Sequence, residues 1–275
     1  MVDGRSRSRV SGLALAVVVP WLPVSPSGRT AMTGSGFEPG TTALVTGATS
    51  GLGRHVALQL ADCGVDVIIT GRDIARGDKV VEEIGANGGR ARFIQVNLDR
   101  PEEIRRLATE VGDIDVLINN AGGFAGGPTN QMTVVAFDGL FTTHARAPFL
   151  LVAAFAPGMA ARARGSIVNV GSIAADLGMQ YTAAYAGSKA ALHALTRVWA
   201  AEYGPHGVRV NAVSPGTFRA PDKDPSFYEG TAAATLLGRV AEPAEIAAAI
   251  VFAASDRASY MTGTILTVDG GRTIT

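Results

Sequence analysis

Tyr185 and Lys189, with Ser172 thirteen residues upstream of the tyrosine, are the residues whose types and spacing best support chemistry. A phenol and an ammonium four residues apart lie on one helix face, because 3.6 residues make a turn. Tyrosine has a reference pKa of about 10, so poising it near 7 takes roughly 4 kcal/mol of differential stabilisation. A lysine charge at ~4 Å in an effective dielectric of ~20 supplies about that much. Ser172 can then hold a substrate oxygen beside the phenol. An ordinary Tyr/Lys pair on a helix surface has the same spacing, so a second signal is needed.

That signal lies near the start of the folded region. Thr42-Ala43-Leu44-Val45 suits a buried parallel strand. It runs into Thr46-Gly47-Ala48-Thr49-Ser50-Gly51-Leu52-Gly53, and then into the helical pattern His55-Val56-Ala57-Leu58-Gln59-Leu60. Gly47 permits a tight turn, Gly51 lets backbone approach a pyrophosphate, and Gly53 lets the helix pack closely on its strand. The helix start, at Ser50 to Gly53, offers free N–H groups and the positive end of its dipole to phosphates.

From Thr41 onward, short β-rich runs alternate with helical segments. The runs are 42–45, 65–70, 91–96, 116–118, 166–170, 208–213 and 265–268; the helical stretches are 54–63, 74–85, 101–111, 133–159, 181–203 and 243–254. The alternation predicts an α/β fold, a doubly wound Rossmann-type parallel sheet with helices on both faces and right-handed crossovers. Ligands in such sheets bind beyond the C-terminal strand ends, where strand order reverses. Gly47, Arg72, Asn120, Ser172 and Pro215 all follow strand ends, so they can converge.

Composition sets limits. Lys plus Arg and Asp plus Glu number 24 each, so no charge excess points to nucleic acid or an anionic membrane surface. The single cysteine, Cys63, cannot form an internal disulfide. His55, His144, His193 and His206 form no metal-ligand motif, and no metal is implied. Residues 38–275 read as one nucleotide-binding domain, with 1–37 an extension, disordered or arising from a start assigned too far upstream of Met32. Arg5, Arg7 and Arg9 before the apolar stretch 13–19 superficially resemble a signal peptide, without a clear small-x-small cleavage site. That stretch is too short for a spanning helix, which needs ~20 residues. The expected location is cytoplasmic.

Taken in order, these motifs resemble the short-chain dehydrogenase/reductase family over about Thr41 to Gly271. The matches are the glycine-rich loop at 46–53, Asn119-Asn120-Ala121-Gly122, Ser172, Tyr185-x-x-x-Lys189, Pro215-Gly216, Leu237-Gly238-Arg239 and Val268-Asp269-Gly270-Gly271. The resemblance implies about seven strands in the order 3-2-1-4-5-6-7. It also implies a bound nicotinamide nucleotide and a ketone interconverted with a secondary alcohol, as in 3-oxoacyl carrier-protein reductases and related alcohol dehydrogenases. Ser172 would bind the carbonyl oxygen and Tyr185 would exchange the proton. Lys189 would lower the tyrosine pKa and bind ribose hydroxyls. A homo-oligomer, tetramer or dimer, is expected, with helices 151–163 and 183–203 and the 265–268 end as candidate interfaces.

The second strand ends Thr70-Gly71-Arg72-Asp73. Where an NAD-preferring fold places an acid for the ribose 2′-hydroxyl, this chain has Gly71, and Arg72 suits a 2′-phosphate. Preference for NADP(H) follows, with NAD(H) as the alternative, and Asp73 could blunt it. Asn97-Leu98 should flank the adenine, Asn120-Ala121-Gly122 its ribose, and Pro215-Gly216 the nicotinamide, with Thr217 or backbone near Phe218 contacting its carboxamide. The main departure is His144, at the position of a helix asparagine that completes the family's catalytic tetrad. It can act as a relay, disrupt the water site, or be a structural histidine in a kinked helix. An alternative function therefore stands beside the reductase, a nucleotide-binding homologue with weak catalysis that senses or assembles. Substrate choice would rest on residues 123–132, 173–182 and 217–237, the last resembling a mobile lid. No arginine clamp for a carboxylate appears in the middle loop, which favours a neutral or amphiphilic carbonyl compound.

Overall fold

The computed structural model describes Met1 and residues 34–220 and 224–274. Most of the expected N-terminal extension therefore lies outside the described residues. Phe37, at its end, is buried against the core that contains Val56, Leu60 and Ile250.

The short apolar runs form seven strands: β1 Thr42–Val45, β2 Asp66–Gly71, β3 Arg90–Gln95, β4 Val116–Asn119, β5 Gly165–Val170, β6 Val208–Pro215 and β7 Ile265–Val268. They pair in parallel in the order β3-β2-β1-β4-β5-β6-β7, as the family resemblance implied. Between them run α1 Gly51–Asp62, α2 Ile74–Ala86, α3 Pro101–Val111, α4 Val134–Phe141, α5 Ala147–Ala161, α6 Ala183–Tyr203, α7 Glu229–Ala233 and α8 Pro243–Ala254.

Strand side chains alternate between two cores, because successive Cβ atoms point to opposite faces. Ala43, Val45, Val67, Ile69, Val116 and Ile118 meet α1, α2 and α8 on one face. Leu44, Ile68, Leu117 and Ile167 meet α3, α5 and α6 on the other. Full burial of each large aliphatic side chain is worth about 1.5–3 kcal/mol. The two filled faces hold the strand ends in register, and the order reverses between β1 and β4. A crevice opens there.

The helix expected over 133–159 is interrupted. α4 and α5 are joined by a π turn over Thr142–Arg146, in which the Ala147 N–H reaches back to the Thr142 carbonyl. Pro148 supplies the reason. It has no N–H for the His144 carbonyl, and its ring clashes with the carbonyl four residues before it, so the chain widens by one residue. By length and composition 134–161 resembles a membrane span. Leu151, Val152, Phe155 and Met159 are nevertheless buried in the core, so this side of the stretch proposed as an interface faces the sheet.

Candidate active site

Every residue expected at the site except Ser172 and Gly216 lines one cleft of about 630 Å³ at the C-terminal ends of β1, β4 and β5. Gly171, which precedes Ser172, lines it too. Gly216 backs away: a Cβ there would lie 2.8 Å from the Asp269 Cα.

At the nucleotide end the walls are backbone. Gly47 has φ +63°, and a Cβ there would lie 2.8 Å from the Ala121 Cα. A Cβ on Gly53 would fall inside contact with the Gly47 carbonyl oxygen and Asn120 Nδ2. Gly51, at φ +53°, would meet nothing within 4 Å, so its open side faces the cleft. Ser50 starts α1 without a side-chain cap bond, which leaves the helix N–H groups directed at the opening. This cradle fits a dinucleotide pyrophosphate.

Asn120 acts on the loop rather than on the cleft. Its Nδ2 donates to the Thr46 and Gly47 carbonyls at 2.9 and 3.1 Å. The Asn120 and Ala121 N–H groups donate to Thr46 Oγ1 at 3.0 Å each. Asn97 Oδ1 accepts from the Asp99 N–H at 3.1 Å.

Beside the adenosine end, Arg72 is exposed and Arg76 joins it in the lining. A Cβ on Gly71 would lie 2.5 Å from Thr49 Cγ2. Thr49 thus fills the space an acidic side chain would need. Asp73, which could have blunted the preference for a phosphate, caps α2 instead. It accepts from the Arg76 N–H at 3.0 Å and pairs with the Arg76 guanidinium at 2.8 Å. These bonds hold its carboxyl below the ordinary range.

The reacting end rests on β5 and α6. Lys189 is buried, and its Nζ donates to the Val170 carbonyl at 2.7 Å. Burial lowers its pKa to about 8. Tyr185 is held above its ordinary value by burial, with a Ser172 hydrogen bond pulling the other way. The lysine is committed to Val170, 6.0 Å from the centre of the Tyr185 ring.

His144 is 1% exposed. Its Nε2 accepts from the Gly123 N–H at 3.3 Å, and its Nδ1 lies 2.9 Å from Ser188 Oγ. Ser188 Oγ donates to the Tyr185 carbonyl at 2.7 Å. A backbone N–H can only donate, so Nε2 is the acceptor and Nδ1 carries the hydrogen. Burial and the Lys189 charge push the His144 pKa down to about 3. Both nitrogens are engaged by Gly123 and Ser188, which leaves neither for a relay to Lys189. A Cβ on Gly122 would lie 2.9 Å from Nε2, so the glycine makes room for the ring.

Sequence reasoning passed over His193. It is 3% exposed, and its Nε2 is without a hydrogen-bond partner among the described residues. That nitrogen points at Gly171, where a Cβ would fall inside contact with it. On the other side Nδ1 lies 3.9 Å from Asp176 Oδ2. The signal was present: residues 185, 189 and 193 share one helix face.

Two loops border Tyr185. The Phe124 ring stands edge-on to it with centroids 5.1 Å apart, and the Gly127 N–H donates to the Tyr181 carbonyl at 2.7 Å. The lid-like 217–237 region is partly structured. Phe218 bridges Ala241, Tyr228 is buried, and its hydroxyl accepts from the Ala220 N–H at 2.7 Å. Residues 221–223 lie outside the described residues.

Known proteins place this geometry. The family described as "Enoyl-(Acyl carrier protein) reductase" matches residues 47–273. A galactitol 2-dehydrogenase (L-tagatose-forming) of Cereibacter sphaeroides is 36% identical over 254 residues, covering 86% of this chain and 96% of that protein. A solved structure of a short chain dehydrogenase/reductase family protein is 47% identical, with a TM-score of 0.80 over 86% of this chain and 99% of the other. A blue fluorescent protein from a metagenomic library, solved in complex with NADPH, is 32% identical, with a TM-score of 0.79 over 85% of this chain and 98% of the other. The chain belongs to the short-chain dehydrogenase/reductase family of oxidoreductases.

Proposed function

We propose that this protein interconverts a ketone and a secondary alcohol with NADP(H), using Tyr185 as the acid–base group. The observation that carries the reading is Tyr185 and Lys189 at one end of a cleft whose other end is a glycine cradle, with Ser172 hydrogen-bonded to Tyr185. NAD(P)(H) is the cofactor, and when bound it supplies or accepts the hydride.

The chain's own residues do the rest. Gly47, Gly51 and the α1 N-terminus would hold the pyrophosphate. Arg72 and Arg76 would pair with a 2′-phosphate, since Thr49 covers Gly71 and Asp73 is turned into α2. Ser172 would donate to the carbonyl oxygen. Tyr185, kept protonated by its burial, would give its proton to that oxygen in reduction and recover it in oxidation. In reduction the ketone gains one hydride and one proton and becomes the alcohol. Lys189, charged below about pH 8, would steady the phenolate that remains.

NADPH consumption with a panel of ketones tests the reading. Tyr185→Phe should lower kcat/KM by about 10²–10⁴, while NADPH affinity measured by fluorescence stays within a few-fold. An unchanged rate in Tyr185→Phe would remove the assigned acid. The same titrations with NADP+ and NAD+ read the cofactor preference. Tight NADPH binding without turnover would move the protein to the sensing role.

A further inference from the structure

The groups around Tyr185 say what kind of substrate fits, given the reductase reading. Phe124 is 69% exposed, Tyr181 61% and Met179 42%, and all three lie on the two loops that border the reacting tyrosine. Of the three, Phe124 lines both the cleft and a recess beside it, and large apolar side chains left open to solvent at a site mark a surface that a ligand covers. Their positions are fixed. The loop after β4 folds over the Phe124 ring, where a Cβ on Gly126 would lie 2.7 Å from Cζ and 2.8 Å from the Tyr181 carbonyl oxygen. The Gly127 N–H then ties that loop to the Tyr181 carbonyl at 2.7 Å.

Tyr181 is held at φ +65°, a left-handed conformation uncommon for a bulky residue. Behind Phe124 lies a recess of about 240 Å³, lined by Ala125, Ala136, Leu140 and His144 among others, with no carboxylate, lysine or arginine in its lining among the described residues. His144 stays neutral at working pH, so the recess offers no charge to a sugar acid or keto acid.

We propose that the substrate is a ketone, or its alcohol, with an aromatic or alkyl body that packs between Phe124 and Tyr181. These two residues set its specificity. A polyhydroxylated chain would leave its hydroxyls unpaired against these rings, and a carboxylate would find no cation there among the described residues.

The test compares benzylacetone with dihydroxyacetone as substrates for the wild type, Phe124→Ala and Tyr181→Asn. Asparagine tolerates the left-handed backbone while removing the ring. The wild type should favour benzylacetone by at least about tenfold in kcat/KM. Each variant should lose most of that preference through a raised KM for benzylacetone, read as a fall in the ratio of kcat/KM for the two ketones. Comparable or better use of dihydroxyacetone, abolished by Tyr185→Phe, overturns this proposal and leaves the reductase reading standing. So does a preference that both variants retain. If neither ketone is consumed while NADPH binds, a broader ketone panel decides: turnover confined to hydroxylated or acidic ketones overturns the proposal. No turnover with any ketone overturns the reductase reading and the proposal with it.

Discussion

The two ends of the cleft are built from opposite materials. The nucleotide end depends on side chains that are missing: Gly47, Gly53 and Gly71 each sit where a Cβ would meet a neighbour closer than real Cβ contacts allow. The reacting end depends on side chains that are present and buried, Lys189, His144 and His193 among them. The first fails by steric exclusion. The second fails by degrees, because the fold sets the charge of each group through burial and its partners.

The largest effect should come from adding one methyl group at the nucleotide end. In Gly53→Ala the new Cβ meets the Gly47 carbonyl and the Asn120 amide, and Asn120 is itself bonded to Thr46 and Gly47. None of these can yield without opening the loop. A loss of about 3 kcal/mol is expected from overpacking, read in urea denaturation, together with NADPH affinity reduced more than about tenfold. Gly85 provides the contrast. It lies inside α2, and a Cβ there meets nothing within 4 Å. Gly85→Ala should stabilise by about 0.5–1 kcal/mol through helix propensity. If both variants behaved alike, glycine content rather than close approach would govern this end.

At the reacting end the comparison is sharpened by acid. The His144 pKa is about 3 in the folded protein against an ordinary 6.5. Between those values the unfolded chain binds a proton that the folded chain does not, so stability falls as pH drops below 6.5. At pH 5 the loss from this group is about 2 kcal/mol. His144→Asn removes it. Whatever the variant costs at neutral pH, its stability between pH 7 and 5 should decline less steeply than the wild type's. His193, shifted in the same direction, contributes to both proteins and cancels in the difference. Parallel pH curves would show that His144 is not held neutral by the fold.

Much of this architecture was legible in residue types. Strand periodicity located all seven strands to within two residues, because alternation between two cores leaves little freedom of register. The spacings of Gly47, Gly51 and Gly53 and of Tyr185 and Lys189 are local, so sequence shows them directly. What stayed hidden depends on contacts between distant segments. Pro148 announced a disturbed helix, but the closed chain from Gly123 through His144 and Ser188 to the Tyr185 carbonyl required the π turn to meet both the β4 loop and α6. The Lys189 bond to Val170 was equally invisible. So was Thr49 over Gly71, which couples the loop after β1 to the end of β2.

The smallest effect concerns a buried histidine beside the end of β5. His193 Nε2 is buried, lacks a hydrogen-bond partner among the described residues and faces Gly171. Gly171 connects Val170, which holds Lys189, to Ser172, so a displacement there reaches both ends of the reacting group. Gly171→Ala should force the imidazole or the strand end to move. In a His193→Ala background the same methyl group has space. The double variant should therefore be more stable than the two single losses predict, by a coupling of about 1 kcal/mol. His193→Ala alone opens a cavity, so only the cycle isolates the contact, and additive losses would mean that the ring and Gly171 do not constrain each other. The KM for ketone should follow the same cycle, because Ser172 moves with Gly171, whereas the nucleotide end, built on its own glycines, should keep its NADPH affinity throughout.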